Sequence, residues 1–483
     1  MRLVRRLVFY LFAAAYLIGC PLTIAYALGY LYEPGTEHGL VQTGLIALST
    51  EPPGATVYLN NKRYTKKTPT LLRGLLPGAY QLRVSLRDHQ AWTRTVTVEG
   101  AKAAAYEHIL LAPSAWRPET VVAEQFEQLV PLSGDRFAVL LAGPTLGEAM
   151  VLDVRERQPR PLLPVLSPWR QARLIDQLAV AGAPALLARV EVRGGERLIW
   201  LDVRSEDTAI EDVSQYLLTR PVWAGEPSGK RRFVLFDDGT LAALDDPARS
   251  VLATDVRGAG LAGHRLYVLD ASGRLDRMDL EGRDRETLLQ HAPLGRRFFG
   301  AHGFFRIVAP DDRLLLLWSE QGRLLTNRLP YRFAREGITG LAPDPRTSRV
   351  LLWRRHALGV LDDGPVDEDP AAFARGPRLR WLIRGLTRVE QAYWAYDASH
   401  ALVLDADMLR LVEIDVDAPT PSADVVPVKR KTSVLYTESE GAVYFLSAAD
   451  GHLMRLALLP RRERLSLTLP ARRELTVPPG VRR

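Results

Sequence analysis

"LYVLDASGRLDRMDL" (Leu266–Leu280) reads as a complete hairpin. Apolar β-formers run into Asp270-Ala271-Ser272-Gly273, where Asp and Gly supply turn chemistry, and the chain then alternates back out to Leu280. The pattern recurs with variations: "LLAGPTLGEAMVLDV", "VEVRGGERLIWLDV", "FVLFDDGTLAALD", "LLLLWSEQGRLLTNRL", "VLLWRRHALGVLD", "LVLDADMLRLVEID" and "VYFLSAADGHLMRLAL". Its turns centre near Gly147, Gly195, Gly239, Gly273, Gly322, Leu358, Met408 and Gly451. The mean spacing is roughly 40 residues, the length of one four-stranded blade.

A blade cannot cover its own apolar faces, so such repeats stack, and closing them into a ring protects both ends. The expected fold is a seven- or eight-bladed β-propeller over residues 121–469, one hairpin being open to reading as a ring-closing fragment. In hairpins such as "LYVLDASGRL" the sequence resembles propellers of the YVTN or quinoprotein type, and it lacks the Gly-His and Trp-Asp signature of WD repeats. That resemblance implies architecture alone.

Upstream lies different punctuation. "STEPPGATVYLNNKRYTKKTPTLLRGLLPGAY" (Ser49–Tyr80) breaks short strands with Pro53-Gly54, Asn60-Asn61, Thr68-Pro69 and Pro77-Gly78. Leu45, Ala47 and Ser49 alternate with Ile46 and Leu48, and Asn60-Asn61 suits the positive φ of a tight hairpin. The reading is a small antiparallel β-sandwich over residues 44–111, with a Pro-bearing linker at 112–120. On these residues the stretch resembles the PEGA domain. Pro52-Pro53-Gly54-Ala55 stands at the naming turn, with proline replacing glutamate, and "VYLNN", Thr68-Pro69 and Pro77-Gly78 before Tyr80 follow in order. The resemblance implies a structural or binding module of envelope proteins and brings no catalytic residues.

The chain opens with Arg2, Arg5 and Arg6, then carries no charge from Leu7 to Tyr32 until Glu33. As a helix that run would rise about 39 Å, enough to cross roughly 30 Å of hydrocarbon. The expectation is a signal anchor at 7–32, with residues 1–6 cytoplasmic and the bulk of the chain outside a bacterial inner membrane. "LIGC" (Leu17–Cys20) resembles a lipobox, so lipidation at Cys20, the sole cysteine, stands as the alternative. The apolar run continuing past Cys20 argues for an uncleaved anchor.

A net charge of +7 spread among 63 basic and 56 acidic residues describes a solvated surface, and no nucleic acid is expected. "GAGLAG" (Gly258–Gly263) matches a dinucleotide-loop spacing but precedes a strand instead of opening a helix. "GEPSGK" (Gly225–Lys230) is one residue short of a phosphate loop, and the acidic "LDDGPVDEDP" (Leu361–Pro370) lacks the calcium-loop register. The histidines stand singly. No metal, cofactor or catalytic residue is expected. The basic tail at 470–483, with Arg461, Arg462 and Arg464 before it and Arg472 and Arg473 within it, suits an acidic partner. The functional expectation is a non-catalytic, membrane-anchored binding or scaffolding protein of the cell envelope, meeting an envelope protein or glycan. Its alternatives are an envelope assembly factor lipidated at Cys20 and a propeller enzyme.

Overall fold

Every second residue of the strand Gly44–Glu51 is buried, as its alternation requires. The computed structural model in which this is seen describes residues 2–458, except 28, 33–39, 217–218, 228–230, 246–250, 291–302, 311–313, 327–334, 345, 363–377, 397 and 415–421. The chain divides into two compact units, Met1–Arg117 and Pro118–Arg483.

The first unit begins with helix α1 (Arg2–Ala27), unbroken through Cys20 and Pro21. Among the described residues no helix is long and apolar enough to cross a membrane. Several side chains of the expected 7–32 anchor, Leu7, Val8 and Leu22 among them, lie outside the description. What is described is that Phe9, Tyr10, Leu11, Phe12, Tyr16, Leu17, Ile18 and Ile24 are 54–73% exposed. Two short strands, β1 (Tyr30–Tyr32) and β2 (Leu40–Gln42), pair antiparallel after it.

A sandwich follows. One sheet has the order β6 (Thr70–Leu75), β3 (Gly44–Glu51), β9 (Ala103–Leu110); the other runs β5 (Lys62–Lys67), β4 (Thr56–Leu59), β7 (Gly78–Ser85), β8 (Trp92–Val98). Ile46, Leu48, Leu72 and Ile109 from the first meet Val57, Leu82, Val84, Trp92 and Val96 from the second in one core. Asn60 and Asn61 take φ of 46° and 65° in the β4–β5 hairpin, where asparagine tolerates the left-handed region. The sandwich is not wholly antiparallel: β3 pairs β9 in parallel, Leu45 opposite Ala103, because the chain crosses from one sheet to the other before its last strand. At the start of the expected linker the Ala112 carbonyl accepts from Gln90 N, and Ser114 N donates to Asp88 O.

The second unit is built from eight antiparallel blades, at 128–161, 173–212, 221–253, 256–289, 305–326, 338–384, 389–427 and 435–457. The fifth shows three strands among the described residues. The last has three of its own and takes its fourth from Glu119–Gln125, which pairs with His452–Ala457. Cores form between blades: Val139 and Leu141 of the first meet Ile199 and Leu201 of the second. The same holds for Trp200 against Phe236, Leu241 against Leu266, and Leu269 against Leu317. It continues with Leu324 against Leu352 and with Trp353 against Val403. Between the seventh and eighth blades the Tyr393 hydroxyl donates to Val434 O at 2.6 Å. Leu140 of the first blade then packs with Tyr444 and Leu446 of the eighth. Among the described residues the ring is closed, with eight blades.

"GAGLAG" is itself most of an innermost strand, Val256–Ala262, and not a loop ahead of one. That strand pairs in parallel with Phe305–Val308 of the next blade, Gly258 opposite Phe305. A Cβ on Gly258 would lie 2.7 Å from Phe305 O, and one on Gly260 would collide with Ile307 O. Glycine here admits a neighbouring backbone.

Candidate functional site

The motif residues of the sandwich gather at two corners. Pro52, Pro53, Gly54 and Ala55 come against Thr68 and Pro69. Gly54 N donates to Thr68 O at 2.8 Å, Thr68 N to Ala55 O at 3.0 Å, and Ala55 N to the Thr68 hydroxyl at 2.9 Å. The Thr50 hydroxyl lies 2.5 Å from that of Thr68 and 2.8 Å from Pro52 O. Both threonines are buried, so this is a clip of neutral hydroxyls that pins the end of β3 to the β5–β6 corner. Gly54, at φ 88°, supplies the turn. Thr50 belongs to the clip and was missed by sequence reasoning; the signal was a β-branched hydroxyl at a core-facing position of β3. Pro77 and Gly78 form the other corner, where Tyr80 Oη donates to Leu76 O at 2.9 Å.

In the propeller the recurrent aspartates serve their own turns. Asp270 Oδ1 accepts from Ser272 N at 2.8 Å, Ser272 Oγ at 2.6 Å and Arg274 N at 3.0 Å. Asp153 does the same with Arg155 N at 3.0 Å, and Asp202 with Arg204 N at 3.0 Å. An aspartate that bonds the backbone two residues on makes such a corner from one side chain. Arginines close on the more buried carboxylates. Asp276 accepts from Arg274 Nε at 2.9 Å, Arg285 Nε at 2.7 Å and Thr287 Oγ1 at 2.8 Å. Burial pushes its carboxyl up, but Arg285, Thr287 and Arg274 together hold it below the usual carboxylate range. Asp153 behaves alike: burial raises it, and Arg136 and the Arg155 amide bring it below. Buried Glu226, from the "GEPSGK" stretch, is taken by Arg204.

Among the histidines His400 is buried beside the Tyr396 ring, its Nδ1 2.9 Å from Ser399 Oγ. Burial alone pushes its imidazole down to about 4. Among the described residues no cluster of His, Cys, Asp and Glu could hold a metal ion. Lys230, residues 363–370 of the acidic stretch, and Arg461, Arg462, Arg464, Arg472 and Arg473 with the tail lie outside the described residues. Cys20 is a free thiol within α1.

A comparison with curated proteins finds no match. Among solved structures the chain is similar to the C-terminal WD40 domain of Sif2, with 9% identity, 72% of this chain and 99% of that one covered, and a TM-score of 0.45. It is similar to YCF48 bound to D1 peptide, with 8% identity, 72% and 96% covered, and a TM-score of 0.39. YCF48 from Cyanidioschyzon merolae gives 12% identity, 71% and 98% covered, and a TM-score of 0.40. The eight-bladed assignment rests on the inter-blade cores above. For the sandwich a family is matched directly: residues 43–108 match the PEGA domain.

Proposed function

We propose that this chain is a membrane-tethered binding and scaffolding protein of the bacterial cell envelope, holding its PEGA-like sandwich and propeller outside the inner membrane and acting by contact, without turnover. The observation that carries the tether is α1. Its large described apolar side chains are exposed, and a helix hydrophobic on all sides needs an apolar surrounding. Its charge-free part, residues 7–27, would rise about 31 Å, and the arginines in its first turns with the acids after it orient the N-terminus inward. The helix runs on past Cys20 to Ala27, so processing at Cys20 would cut mid-helix and leave an apolar stub; this favours the anchor over the lipidated form.

Action by contact is supported by the state of the propeller's ionisable groups. Asp153, Asp276 and Glu226 are engaged by arginines, and His400 is walled into the core. A closed ring offers many loops on a rigid frame, which suits a macromolecular partner. A phosphatase fused after Leu111 should be active, and protease added to spheroplasts should digest the propeller. An inactive reporter with a protected propeller would sink the topology. Crosslinking in intact envelopes should capture an envelope protein or glycan that the purified chain binds unaltered; conversion of that partner would sink the non-catalytic reading.

A further inference from the structure

Among the described residues the outer face of the three-stranded sheet is only partly covered. Two hollows lie along it. One, of about 890 Å³, has Ala47 and Leu71 in its floor with Lys66 and Arg73 at its wall. The other, of about 710 Å³, has Leu45 and Ala103 and shares Arg73. Leu71, on the edge strand β6 of this face, is 44% exposed. The edge strand β5 reads "KRYTKK": its Lys66 lines the first hollow with Arg73, and Lys62, Arg63 and Lys67 stand exposed on the same strand. Among the described residues none of these five is held by a carboxylate, whereas Lys102, at the far end, pairs with Glu99 at 2.5 Å. Lysines on an edge strand deter strand pairing, which accounts for β5. They do not account for the apolar floor beside them.

The chain leaving α1 arrives at this same face. Gly29, Tyr30 and Leu31 line the second hollow. Gly29 O accepts from both Thr43 N and Thr43 Oγ1 at 2.8 Å, which fastens the segment after the helix to the start of β3. Tyr30 and Leu31 are partly exposed there, an amphipathic pair suited to a membrane interface.

We infer that this face seats against an anionic phospholipid surface, its floor on the acyl boundary and its basic margin on the headgroup phosphates. The inference rests on the reading of α1 as the anchor, since only then is the face held within reach of lipid. An apolar floor with a one-sided cationic rim is what such a surface selects, and the attraction falls off within a Debye length.

The test uses the full chain carrying Cys20→Ser and Leu71→Cys, labelled at residue 71 with an environment-sensitive fluorophore. It is reconstituted into phosphatidylcholine vesicles with or without phosphatidylglycerol. The expected result is co-flotation with both vesicle types and a blue-shifted emission only with phosphatidylglycerol. High salt, or Lys66→Glu with Arg73→Glu, should remove that shift, while Lys66→Arg with Arg73→Lys should keep it. Failure to co-float with either vesicle overturns the anchor. Co-flotation with emission unaffected by phosphatidylglycerol, or shifted equally in its absence, overturns this inference and leaves the anchor standing.

Discussion

The strand Gly44–Glu51 of the sandwich and the strand Phe137–Leu141 of the first blade are both interior strands of their sheets, yet their burial differs in kind. Gly44–Glu51 buries alternate residues, one face toward the core and the other outward. Phe137–Leu141 is buried throughout. Leu141 enters the core shared with the second blade, and its neighbour Leu140 enters the core shared with the eighth. A sandwich sheet has one partner layer, whereas a blade has two. The sandwich and the ring each bring their first and last strands together, but only in the ring does that cover every blade on both faces.

The largest expected effect breaks or sustains this contrast directly. Leu140→Ala and Leu141→Ala should each cost the propeller about 2–5 kcal/mol, although adjacent side chains of one strand point to opposite faces. In the sandwich, Ile46→Ala should cost about the same, while Leu45→Ala on the outer face should cost under about 1 kcal/mol. Denaturant midpoints, with hydrogen exchange to localise each loss, read the difference. A mild Leu140→Ala or a severe Leu45→Ala would erase it.

The contrast also explains what could be read from the sequence. Alternation at Leu45–Ser49 and turns at Pro53-Gly54 and Asn60-Asn61 made the sandwich legible, because a one-faced strand writes its burial into a period of two. The blades were legible from the spacing of their hairpins, not from alternation, since a strand buried on both faces has no period to show. Closure was expected, but the strand that makes it was not legible: Glu119–Gln125 carries no local sign that its partner lies some 330 residues away. The parallel pairing of β3 with β9 was hidden for the same reason. The site was legible in its prolines and glycines, which mark local geometry. It was illegible at Thr50, whose role depends on Thr68 across the sheet. Gly258 and Gly260 fall inside a strand, and their use waited on the neighbouring blade. Gly260→Ala should therefore cost roughly 3 kcal/mol, near the upper end for overpacking, because the atom its Cβ would meet is backbone and cannot rotate away. A stability change within experimental error would show that the two innermost strands can part.

Burial on both faces has a second consequence at His400. The unfolded imidazole protonates near its ordinary 6.5, but in the folded ring burial delays this to about 4. A group whose folded pKa is depressed gives stability that is present above the unfolded value and lost as pH falls toward the folded one. The propeller should lose on the order of 2 kcal/mol between pH 7 and pH 5, then level off below about pH 4 as far as this residue is concerned. His400→Asn should flatten that window in a series of melting curves. A wild-type slope that survives the substitution would assign the titration elsewhere.

Among the buried positions the sandwich clip should show the smallest effect, and no such slope. Thr68→Val keeps the shape of the side chain and removes the hydroxyl that accepts from Ala55 N and meets Thr50. Two buried polar groups are then left short of a partner, at about 1–2 kcal/mol in total. Thr50 can still bond Pro52 O, which holds the cost to the lower part of that range. Gly54 N donates to the Thr68 backbone carbonyl, which survives the change, so its exchange should quicken less than that of Ala55 N. Neither threonine titrates, so the loss should be the same at pH 7 and pH 5, where the ring's is not. An exchange rate at Ala55 equal to the wild type would mean that the corner is held by its prolines and that the hydroxyl clip is incidental.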